Sequence, residues 1–121
     1  MPTTSRELVF NHDGYGILAD LTKTPMREQD AADLLVTPLA DAGLTTIDWC
    51  IVTTGAHNCR TRHGRLYDHA ALNRFTAEAP DAPHDPTDRR AICTAIEHYA
   101  AQPLDLLDIV VKHGHARGLK V

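Results

Sequence analysis

Asn11-His12-Asp13 follows the apolar run Glu7-Leu8-Val9-Phe10 and precedes Gly14-Tyr15-Gly16. An apolar run that breaks at a polar, glycine-punctuated turn reads as a buried strand with its C-terminal loop. At the end of a strand, Asn11 can bind a substrate hydroxyl, and Asp13 can act as a general base if its surroundings raise its pKa. The competing reading is a local turn, because Asn and Asp side chains bond their own backbone and Gly14 and Gly16 permit positive φ. On sequence alone both stay open.

A second polar segment, residues 53–67, contains His57, Cys59, Arg60, Arg62, His63, Arg65 and Tyr67. His57, Arg60 and Arg62 offer donors for a carboxylate, a phosphate or a sugar oxygen, and Arg can do so with two parallel bonds. Tyr67 offers an aromatic face to a sugar ring. The alternative is a solvated basic loop with no ligand. His57, Cys59, His63 and His69 are zinc-type ligands, but no C-x-x-C or H-E-x-x-H pairing is present, so neither metal nor cofactor is expected. Cys59 is the expected exposed thiol, and Cys50 and Cys93 are expected as small buried residues. A nucleophilic Cys59 assisted by His57 or His63 would lack an oxyanion hole and an orienting group. Asp48, inside a strand, reads as a structural carboxylate. Gly14-Tyr15-Gly16 does not complete a phosphate-binding fingerprint.

The elements that must position these residues alternate. Thr24-Pro25 opens a helix over 26–42, with Leu34, Leu35 and Leu39 buried, a break or kink at Pro38 and a stop at Gly43. Residues 45–52 read as a second strand, β-branched and aromatic. Residues 53–88 form a long loop insertion, of a length usually reserved for function. Asp85 caps and Pro86 starts a helix whose Ile92, Ile96 and Tyr99 share a face. Gln102-Pro103 interrupts it. A further helix runs from Leu104 with Leu107, Val110, Val111 and Gly114 on its apolar stripe, and His113 and His115 complement its C-terminal end. Gly118 stops it, and Leu119-Lys120-Val121 begins a third strand. This order implies an α/β fold with parallel strands and crossover helices. Three such strands would leave an apolar sheet face and edges uncovered.

The chain has 121 residues, 43% of them hydrophobic, with 12 Lys and Arg against 16 Asp and Glu for a formal charge of −4. The hydrophobic share argues against disorder, and the length points to one domain, residues 1–121, or the N-terminal fragment of one. No stretch approaches the roughly 20 apolar residues of a membrane span, and no apolar signal core stands at the N-terminus. A mildly acidic balance disfavours non-specific nucleic-acid binding. Three cysteines at uneven spacing form no disulfide framework, which leaves reduced thiols and a cytoplasmic setting as the default.

His113-Gly114-His115-Ala116-Arg117-Gly118-Leu119-Lys120-Val121 resembles the Ala-His-x-x-Gly-Leu-x-Val passage that leads into the third strand of many glycoside-hydrolase (β/α)8 barrels. Val9-Phe10-Asn11-His12-Asp13-Gly14 is similar to the Phe-Asn-x-Asp-Gly start of an uncharacterised bacterial glycoside-hydrolase-like barrel family. The resemblance implies the first two and a half βα units of a TIM barrel, an incomplete one. It implies carbohydrate as ligand, with the acid/base and nucleophile carboxylates on later strands, so the chain by itself is expected to be inactive. It places Asn11, Asp13, His57, Arg60, Arg62 and Tyr67 on the rim of a substrate cleft. The rival expectation is a small α/β binding or regulatory domain that dimerises through an open sheet edge and holds a small anion on the basic loop.

Overall fold

The computed structural model describes residues 6–53, 55–82 and 86–121, without the side chains of Thr53 and Pro86. It is a mixed α/β arrangement with a short parallel sheet. Strand β1 (Val9–His12) pairs in parallel with β2 (Thr46–Trp49), Val9 opposite Thr46 and His12 opposite Trp49. On the far side of β2, Lys120 bridges Thr46 in parallel, with Ile47 N donating to Lys120 O at 2.8 Å. The strand order is therefore sequential, with β2 in the middle.

Helices α1 (Leu18–Leu21), α2 (Glu28–Leu35) and α3 (Thr37–Asp41) join β1 to β2. The helix expected over 26–42 is divided at Val36, where Pro38 fits the first turn of α3 and cannot continue the α2 ladder. Its cap is not Thr24. Arg27 N donates to Asp30 Oδ2 at 2.7 Å and the Arg27 guanidinium returns to the same carboxylate, which closes the first turn. Met26 just before it sits at φ 58, and the carbonyls of Met26 and Arg27 accept from His98 and Tyr99 of a later helix.

The segment expected as a long loop insertion over 53–88 carries strands and a helix. β3 (Val52–Thr53) pairs antiparallel with β4 (Ala56–His57), and β4 pairs in parallel with β5 (Arg65–Leu66). Helix α4 (His69–Glu78) follows, capped by the Asp68 carboxylate accepting from Ala71 N at 2.7 Å. Helix α5 (Pro86–Ala100) starts at Pro86 as expected; the capping role of Asp85 falls outside the described residues. Helix α6 (Leu106–Ala116) is capped by Asp105, two residues inside the expected start.

The core lies between the sheet and these helices. Ile47 and Trp49 alternate with Thr46 and Asp48 along β2, so one face of the sheet meets Leu18, Leu35, Ile96, Tyr99 and Ile109. The opposite face is open, and apart from Val9 opposite Thr46 it is polar where an apolar face was expected. Glu7 Oε1 accepts from Thr46 Oγ1 and Lys120 Nζ across it, and Asn11 stands opposite Asp48. Apolar exposure falls on Leu8, Val9 and Phe10 at β1, on Ile51 and Val52 beyond β2, and on Val121. β1 was expected to be buried; its first three residues are exposed, and His12 alone is buried. Among the described residues, no helix is long and apolar enough to cross a membrane.

Candidate functional site

The C-terminal ends of β1 and β2 deliver one cluster. Beyond His12 the chain turns sharply, and Asp13 Oδ1 accepts from Tyr15 N at 3.0 Å and from Gly16 N at 3.1 Å. This is the local turn that competed with a ligand role, and one oxygen of Asp13 is committed to it. Asn58, fully buried, locks the turn to the end of β2: its Nδ2 donates to Gly14 O at 2.7 Å and to Cys50 O at 3.0 Å. Tyr15 Oη adds a tie at 2.8 Å to Ala56 O.

His12 is the buried member, with 7% of its surface exposed. Its ring lies against Trp49 at 4.7 Å between centroids and meets Phe10 edge-on at 5.7 Å. Gly14 N donates to Nδ1 at 3.0 Å. Burial holds the imidazole below its ordinary pKa, against the opposing pull of the Asp13 charge. A ring that accepts at Nδ1 carries its single proton on Nε2, and no described residue pairs with Nε2. A shallow pocket of about 330 Å³ opens here, lined by Phe10, Asn11, His12, Asp13, Gly16 and Ile17.

Of the six residues singled out from the sequence, the structure brings Asn11 and Asp13 together in this pocket and places the other four elsewhere. His57 lies in β4, its Nδ1 3.4 Å from Arg65 O. Arg60 is a tether: its backbone N donates to Asp105 Oδ2 at 2.6 Å and its Nη2 to Pro103 O at 3.0 Å. Arg62 is exposed. Tyr67, offered as a sugar platform, is 4% exposed, stacked on Phe75 and edge-on to Tyr15, so its ring is core. The thiols also exchange places. Cys59 is buried, and burial together with Asp105 and Asp108 pushes its pKa up; Cys50, where the chain leaves the sheet, is exposed.

The sequence reading missed Phe10 as a lining residue, and it placed His12 in the Asn11-His12-Asp13 cluster without giving it a role of its own. The signal was the two-residue alternation of the strand: once Trp49 is a core residue, its partner His12 shares its face. A second concavity, about 260 Å³, lies between Arg65, Leu66 and the α4 residues Asp68, Ala70, Ala71 and Arg74.

One further cluster resembles a hydrolase relay without its chemistry. His69 Nδ1 is 3.0 Å from Glu97 Oε2, and His69 Nε2 is 3.5 Å from Thr94 Oγ1. Thr94, inside α5, donates its proton to Arg90 O at 2.9 Å, so its hydroxyl is not activated by His69. Among the described residues, no three His, Cys, Asp or Glu side chains converge on a metal position. No family model, no curated protein and no solved structure matches this chain.

Proposed function

We propose that these are the opening βα units of a glycoside-hydrolase-like barrel, and that they contribute the front edge of a carbohydrate cleft without the catalytic carboxylate pair. The observation that carries this reading is the pocket at the C-terminal end of β1, where Phe10, Asn11, His12 and Asp13 meet. Parallel α/β sheets bind their ligands outside the carboxyl ends of the strands. An aromatic edge beside a carboxamide, an imidazole N–H and a carboxylate suits a sugar, which presents apolar C–H faces and hydroxyls in alternation. The sequential strand order, with β2 between β1 and Lys120, is the order a barrel requires of its first three strands.

The protein has a single tryptophan, Trp49, in ring contact with His12 beside the pocket. Titration with oligosaccharides should change Trp49 fluorescence saturably, and Asn11→Ala should weaken the response about tenfold, on the scale of one lost hydrogen bond to a ligand. The chain alone should not hydrolyse aryl glycosides. A flat fluorescence response to every saccharide would end the reading.

The second reading, a small anion-binding domain, is favoured by the concavity between Arg65 and Arg74, whose guanidiniums make no ion pair with any described residue. Inorganic phosphate protecting the chain against thermal unfolding, with loss of protection in Arg74→Ala, would support it over the sugar cleft.

A further inference from the structure

The geometry points to His12 as a preset hydrogen-bond donor that makes the β1 pocket a site for an uncharged ligand oxygen. This rests on the cleft reading above and narrows it. Three observations carry it. The Gly14 amide occupies Nδ1 at 3.0 Å, which leaves Nε2 as the donor of a ring with one proton. The residue is more than nine-tenths buried, its ring tilted against Trp49, and it lines the pocket with no described residue accepting from Nε2. Among the described residues the buried side-chain atoms left unpaired are Trp49 Nε1 and Asn58 Oδ1, so Nε2 is not sealed off, and in this largely desolvated setting a ligand or water oxygen that accepts from it gains more than one at a fully exposed donor.

The charge lining the pocket selects against an anion. Asp13 lines it, with Oδ2 accepting from no described residue. A ligand carboxylate or phosphate would meet this carboxylate with only a neutral imidazole and a carboxamide to offset it. An uncharged oxygen escapes that repulsion. A hydroxyl does best, because it accepts from Nε2–H and donates to Asp13 at once.

The test is a long-range proton–nitrogen correlation spectrum of the full chain near pH 7, before and after adding each of three probes. These are methyl β-glucoside, N-methylacetamide and inorganic phosphate. The free protein should show the His12 ring with its proton on Nε2. Methyl β-glucoside should then move the Nε2 resonance saturably while phosphate leaves it in place. A response to N-methylacetamide and none to the glucoside would keep the donor role and remove carbohydrate as the ligand class. A protonated ring, a proton on Nδ1, a response to phosphate alone, or no response to any probe would overturn the inference.

Discussion

The carboxylate of Asp105 accepts from the backbone amide of Arg60 at 2.6 Å while its other oxygen accepts from Asp108 N at 3.2 Å, so one buried side chain caps α6 and holds down the loop that follows β4. The bond to Arg60 runs through its main chain, and the Arg60 side chain, half exposed, only supplements it. Asp105→Ala should therefore cost about 2–4 kcal/mol, an N-cap plus a charge-assisted bond to a backbone amide. Arg60→Ala should cost less, about 1 kcal/mol or under, as a surface ion pair does. Urea denaturation of the two variants decides it; the opposite ranking would show that the guanidinium, not the amide, is the anchor.

Gly14 tests how tightly the β1 turn meets the end of β2. A Cβ there would lie 2.1 Å from Cys50 O and 2.6 Å from Asn58 Nδ2, on a backbone already at φ 73. Gly43 has a similar φ of 79 and open space around it. Gly43→Ala should lose only the left-handed penalty, about 1–2 kcal/mol. Gly14→Ala adds a collision with backbone and should cost roughly 3 kcal/mol or more, or prevent folding. Thermal melts of the pair give the comparison, and equal losses would mean that the turn yields freely.

Acid should weaken the fold in two steps. Hydrogen bonds from Lys112 and then His113 hold Glu28 below the usual carboxylate range. The unfolded chain then binds more protons than the native one, so this contribution is present above the ordinary Glu pKa and is lost as pH falls through the native value. His12, also lowered, works in the same direction at higher pH: below its ordinary pKa of about 6.5 the unfolded chain takes up a proton that the buried ring refuses. Urea midpoints measured from neutral pH downward should decline across both windows. Glu28→Gln should flatten the lower one; curves that stay parallel to the parent would refute the assignment.

Thiol reactivity separates the three cysteines. Cys50 is exposed, whereas Cys59 is buried and Cys93 has its pKa pushed up to about 12 by burial. In the native protein a disulfide reagent should titrate one thiol quickly, and Cys50→Ser should abolish that phase. Unfolding should release the other two. Rapid labelling of Cys59 in the native state would contradict the packing of the segment beneath Asp105.

Ile92, Ile96 and Tyr99 were legible as one helix face because helical periodicity is a local property, and all three are buried on that face. Helix α4 went unread although Asp68, Leu72 and Phe75 carry a cap and an apolar stripe, because the surrounding His, Arg and Gly residues dominate the composition. The exchange of Cys50 and Cys59 could not be read locally. What buries Cys59 is a loop tied to Asp105, 45 residues further on from Arg60. The same holds for the site: Asn11 and Asp13 stood out by residue type, but His12 enters only once the register sets it opposite Trp49. Arg60 and Tyr67 carry the right chemistry for a ligand and spend it on the fold.

The middle position of β2 gives one strand two histories. Parallel neighbours cannot join through a tight hairpin, so each side of β2 waits for a crossover to close, and the entropy of closure grows with the length of chain enclosed. The β1 side closes over α1–α3, whereas the Lys120 side closes only after α4, α5 and α6 are laid down. Two amides record these events separately, one inside the strand and one just past its end: Ile47 N is held by Lys120 O at 2.8 Å, and Cys50 N by His12 O at 2.9 Å. Read as clocks of hydrogen exchange during refolding, Cys50 should be protected early and Ile47 late, although they lie within three residues of each other.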